Sequence, residues 1–230
     1  MITFLNSKLR IAVAIAILFH IIGLVGILFF NAAFFASLTP FNLLLSALLL
    51  IWTQEEKNSS FFIFVLVCYV AGFIVEYLGV NYGVLFGSYE YGSVLGMKFK
   101  NIPIIIGVNW FIIMYCSGVS VQLVLNHIWN KVKYDEMPLR NNVGFVSVIL
   151  DGALLAVFFD WVMEPVAVKL SFWKWLGDGS IPMFNYVCWF LVSCLLLLVF
   201  RLLPFKKNNH FALHLLLIQL LFFLILRTFL

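Results

Sequence analysis

Four carboxylates, Glu76, Asp151, Asp160 and Glu164, interrupt long apolar segments of this 230-residue sequence. At bilayer depth an acidic side chain costs about 2.5–3.5 kcal/mol, so acids kept there point to work that an apolar residue cannot do. No Lys or Arg lies deep enough in a span to neutralise all four, because Arg201 and Arg227 stand near span ends and reach the interface. Unpaired acids in hydrocarbon are expected to be partly protonated, which suits them to deliver a proton. Asp160 and Glu164 are four residues apart, share one helix face and would titrate as a pair. Asp151 precedes Asp160 by nine residues and, at about 100° per residue, points to the opposite side. This is material for general acid–base chemistry. A metal centre is not expected, because no histidine pair lies near the acids. His20 is a lone histidine on an apolar helix and reads as a packed residue, while His210 and His214 open the last span and read as interfacial. Cys68, Cys116, Cys188 and Cys194 all lie in apolar runs without a CxxC pair and read as small buried hydrophobes.

The elements that position these acids must be membrane helices. Hydrophobic residues make up 64% of the chain and charged residues 10%, against about 45–50% and 25% in soluble domains. Such a surface could not be kept in water, and disordered chains have the opposite bias. The 14 Lys and Arg are scattered without a basic stripe, which argues against nucleic acid. The apolar run 11–30 exceeds the core of a signal peptide and reads as a retained first span. Residues 11–54 carry no charge; as one helix they would extend about 66 Å, twice the bilayer core, so the chain turns back between Asn31 and Pro40. Further spans are predicted over 61–80, 102–126, 143–168, 183–203 and 210–229. The expectation is an all-α polytopic bundle of about seven spans, forming a single membrane domain over 1–230, with the second span short.

Loop Lys and Arg number nine on the N-terminal side (8, 10, 57, 131, 133, 140, 201, 206 and 207) and five on the other (98, 100, 169, 174 and 227). The N-terminus is therefore expected inside, in the cytoplasmic membrane. Glu76, Asp160 and Glu164 then approach the outer face, with Asp151 nearer the cytoplasmic half. On the outer side lies the loop 81–101, rich in Gly and Tyr, which is expected to pack over the acids with its tyrosines protected. A retinal protein is excluded by the lack of a lysine in the last span, and a G-protein-coupled receptor by the lack of its helix-end motifs.

The stretch Glu76-Tyr-Leu-Gly-Val-Asn-Tyr-Gly-Val-Leu-Phe-Gly-Ser-Tyr-Glu-Tyr-Gly92 resembles the first signature of the carotenoid biosynthesis membrane proteins. Among them it is most similar to hydratases acting on gamma-carotene-like or bisanhydrobacterioruberin-like ends. Pro103, Asn109-Trp110, Asp151-Gly152, Phe159-Asp-Trp-Val-Met-Glu-Pro165, Phe172-Trp-Lys-Trp175, Pro182 and Asn185-Tyr186 fit the same pattern, so the resemblance covers residues 60–205. It implies addition of water to the terminal double bond of a linear carotenoid, through a tertiary carbocation, with neither metal nor redox cofactor. Asp160 is then the leading proton donor, Glu164 its partner and a candidate base, Glu76 an alternative base, and Asp151 a further candidate. Tyr82, Phe86, Tyr89, Asn109, Trp110, Trp161 and Trp173 are candidates to line the substrate pocket. A cyclase would use the same protonation but capture the cation with an alkene, and a membrane carrier would use the acids as a proton relay.

Overall fold

The computed structural model describes residues 7–131 and 137–230, with backbone alone over 137–140. Lys133 lies outside the described residues, as does the Arg140 side chain. The helices are α1 (Ser7–Phe29), α2 (Ala32–Ser37), α3 (Thr39–Thr53), α4 (Ser59–Tyr82), α5 (Ile106–Lys131), α6 (Met137–Lys169), α7 (Met183–Leu202) and α8 (His210–Phe229). Two short ribbons join them, made from β1 (Tyr89–Tyr91), β2 (Lys98–Phe99), β3 (Ile102–Pro103) and β4 (Trp173–Trp175). The chain is an all-α, multi-pass membrane bundle.

Six helices, α1 and α4–α8, are long and apolar enough to cross a bilayer. The second predicted span is the exception. At 15 residues, α3 extends about 22 Å, short of the roughly 30 Å hydrocarbon core. The turn before it explains how so short a helix serves. Asn31 caps α2 by accepting from Phe34 N at 3.0 Å, and α2 folds back along α1. Gly26 makes room for this, since a Cβ there would lie 2.2 Å from the Phe35 ring. Within its first turn α3 already meets α1 well below the helix end, through Asn42 Nδ2 and His20 Nε2 at 3.4 Å. At its far end Gln54 donates to the Lys206 carbonyl at 2.8 Å and accepts from the Tyr115 hydroxyl.

The centre of the bundle is α5. Of its apolar window 61% is buried, against 28–44% for the other five long helices. It packs against α4, α6, α8 and α3, so residues at its first turns face elements from both halves of the chain. The loop 81–101 is not free: Phe86, Tyr89, Tyr91 and Leu95 are buried, and β1 pairs antiparallel with β4 from the loop between α6 and α7.

Candidate active site

On α4, Gly72, Glu76 and Gly79 recur at helical spacing and are buried together. Both glycines are needed as gaps. A Cβ at Gly72 would fall 2.4 Å from the Trp110 indole, and one at Gly79 would fall 2.8 Å from the Tyr89 hydroxyl oxygen. Through these gaps three donors reach one carboxylate. Tyr89 and Tyr91 donate to Glu76 Oε2 at 2.5 and 2.7 Å, and Trp110 Nε1 donates to Oε1 at 3.0 Å. Trp110 in turn stacks on Trp189, with centroids 4.2 Å apart and planes 12° from parallel.

The tyrosines arrive on a strand. In the β1–β4 ribbon Tyr89 faces Trp175, Tyr91 faces Trp173, and Glu90 faces Lys174. Alternation puts the four aromatics inward and the two charges outward, where Lys174 Nζ and Glu90 Oε1 pair at 2.7 Å. Gly92 lets the strands close, because a Cβ there would lie 2.1 Å from the Ser171 carbonyl oxygen. Burial, and then the charge of Glu76, hold both phenols well above the usual tyrosine range, so they remain donors.

On α6, Asp160 and Glu164 are both buried. Asp160 Oδ2 accepts from Asn185 Nδ2, in the first turn of α7, at 2.8 Å. Glu164 Oε2 accepts from Trp173 Nε1 at 2.8 Å. The Trp175 indole lies close to Glu164 too, but its buried Nε1 makes no hydrogen bond of ordinary geometry among the described residues. Pro165 sits inside α6 and cannot donate to the Trp161 carbonyl one turn back. Arg227 Nη1 donates there instead, at 2.8 Å, with its guanidinium 4.1 Å from the Trp161 ring centre.

Glu76, Asp160 and Glu164 thus line one small chamber, walled by Phe86, Tyr89, Tyr91, Trp173, Trp175 and Trp189. Of the sequence candidates, Phe86, Tyr89, Asn109 and Trp173 are in its wall, and Trp110 stands just behind, bonded to Glu76. The structure does not bring in the other three. Asp151 is exposed and accepts from the Ser147 hydroxyl on its own helix. Tyr82 is 63% exposed and hydrogen-bonds the Tyr77 hydroxyl, so the expected protection of the loop tyrosines fails for it. Trp161 is 46% exposed under Arg227 and is not among the residues that line the chamber. Sequence reasoning took Tyr91, Trp175 and Asn185 only as parts of motifs and missed Trp189. The first two carried a signal, since Tyr-Glu-Tyr and Trp-Lys-Trp both alternate as half-buried strands do.

Such a chamber can move a proton between acids, shield a cation with aromatic faces and exclude bulk water. The family model of carotenoid biosynthesis proteins matches residues 36–230. The chain belongs to this family. The match reaches beyond residues 60–205 to take in α3 and α8, and includes every acid of the chamber. A member of this family has its role in carotenoid metabolism, here at a membrane. No curated protein and no solved structure matches the chain.

Proposed function

We propose that this protein is a carotenoid hydratase, a hydro-lyase that adds water to the terminal C=C of a linear carotenoid. The observation that carries this reading is the convergence of three carboxyl groups from α4 and α6 in one buried, aromatic-walled chamber. Asp160 gives its proton to the less substituted alkene carbon, the π electrons form the new C–H bond, and the neighbouring carbon becomes a tertiary cation. The faces of Trp173, Trp175 and Trp189 stabilise that cation, each by about 2 kcal/mol when desolvated. Water then bonds to the cation through oxygen and loses a proton to Glu164, four residues along the helix. Transfer of that proton to Asp160 restores the starting state.

Glu76 takes a different part. With three donors on its two oxygens it is addressed purely as an acceptor, which suits it to steady the cation or to serve as the alternative base. A groove lined by Val80, Glu90, Lys98 and Asn101 meets Tyr89 and Tyr91 from the loop side, and supports water arriving there. The whole chain serves as one membrane domain, with the cytoplasmic membrane its proposed site, N-terminus inside.

The test is expression in a bacterium that accumulates a linear carotenoid, with the extracted pigments weighed. A pigment heavier by one water per reacted end is expected. Ring formation at unchanged mass would make the protein a cyclase, and unaltered linear pigment would remove the enzymatic reading.

A further inference from the structure

The proposed reaction brings one end of a polyene to the acids, and the rest of that molecule needs a place. The geometry points to a lateral passage between α1 and α8 through which a linear polyene threads from the lipid to the acids. A second, more apolar cavity adjoins the chamber, and the two share Ile106, Asn109, Met163 and Trp173 as a common wall. At its other end the cavity shares His20 and Phe222 with an apolar cleft between α1 and α8. Cavity, cleft and chamber therefore form a contiguous series from the lipid-facing surface inward. On the cleft, Ile21 and Leu221 are 52% and 58% exposed, where bilayer hydrocarbon would touch them.

The neck is built. His20 and Phe222 meet edge to face with centroids 5.5 Å apart. His20 Nδ1 is tied to the Ala16 carbonyl oxygen at 2.7 Å and its Nε2 lies 3.4 Å from Asn42 Nδ2, so the ring is held in place. Gly23 adds to the opening, because a Cβ there would stand 3.6 Å from the Phe222 ring. No Asp, Glu, Lys or Arg among the described residues lines either the cavity or the cleft. A charged or strongly hydrated ligand would find nothing there to replace its water, whereas a hydrocarbon chain loses nothing on leaving the bilayer. The opposite approach, across the ribbon, carries the outward Glu90–Lys174 pair, a charged face that offers a hydrocarbon chain no gain on leaving the bilayer.

The choice of a linear polyene as occupant rests on the proposed function; the path itself does not. The test uses the full chain expressed with a linear carotenoid, and reads visible pigment retained per protein as well as product mass. Ile21→Trp and Leu221→Trp, at exposed positions that tolerate bulk, would fill the cleft. Leu195→Trp, on the exposed face of α7, is the control. The cleft variants are expected to lower retained pigment and product together by about tenfold or more, the control to lower neither, and Asp160→Asn to lower product while pigment stays. Cleft variants that keep wild-type pigment and product overturn the passage. If no variant nor the wild type yields hydrated pigment, yet the cleft variants still lose bound pigment, the hydratase reading fails and the passage stands.

Discussion

Asp151 and Asp160 stand nine residues apart on α6, in surroundings of opposite kind. Asp151 is exposed and takes its hydrogen bond from Ser147, one turn back on the same helix. Asp160 is 1% exposed and bonds Asn185 on α7, with Glu164 one turn on and Glu76 lining the same chamber. An acid in an apolar helix is therefore not a site by itself. What distinguishes Asp160 is convergence, with residues from α4, α6, α7 and the β1–β4 ribbon closing on one small volume. A second contrast lies inside the chamber. Glu76 is fixed by three donors from three positions, whereas Asp160 and Glu164 are held by single side-chain donors, Asn185 and Trp173. The pair on α6 keeps more acceptor capacity for a proton in transit than Glu76 does.

The sharpest way to break the first contrast is to treat both aspartates alike. Asp160→Asn keeps the shape and removes the transferable proton, so product formation is expected to fall by about 10²–10⁴-fold. Asp151→Asn, at an exposed position, is expected to stay within about twofold. Equal losses measured on extracted pigment would erase the distinction. For the second contrast, Glu76→Gln turns an amide NH₂ toward a donor and leaves a buried donor unmatched, at a cost of about 1–3 kcal/mol in stability. Denaturant unfolding followed by near-UV circular dichroism would show it, and unchanged stability would contradict the fixed-acceptor reading.

A smaller effect concerns how α6 is braced. Arg227→Leu leaves the Trp161 carbonyl without its donor, and a loss of about 0.5–1.5 kcal/mol is expected. Adding Pro165→Ala supplies the missing backbone N–H. The double variant should then recover stability, and a purely additive pair would show that Arg227 does not stand in for the proline. The smallest effect at neutral pH is in the ribbon. Both phenols titrate higher in the folded protein than in an unfolded chain, so above pH about 10 the fold binds more protons than the unfolded chain and loses stability as pH rises. Tyr91→Phe should flatten that alkaline slope, and an unaltered slope would remove Tyr91 as its source.

Much of this was legible in the sequence wherever one residue type had one physical reason to be there. Unbroken apolar runs fixed the helices, and acids inside them marked Glu76, Asp160 and Glu164. Spacing alone separated Asp151 from Asp160. The short α3 was foreseeable as short, but its placement was not, because it depends on Asn42 meeting His20 across two helices. Trp161 and Trp173 are alike as residues, and only the fold tells that one lies under Arg227 and the other bonds Glu164. Tyr82 and Tyr91 differ in the same way. The cavity beside the chamber had no signature in the sequence, since it is framed by five helices distant along the chain.

The central claim is that water adds to a polyene end in the chamber held by Asp160. It is tested most directly by incubating purified protein with a linear carotenoid in heavy-oxygen water and weighing the product. The wild type is expected to place one heavy oxygen in the pigment per reacted end, and Asp160→Asn almost none. Pigment of unchanged mass, or equal labelling by both proteins, would contradict it.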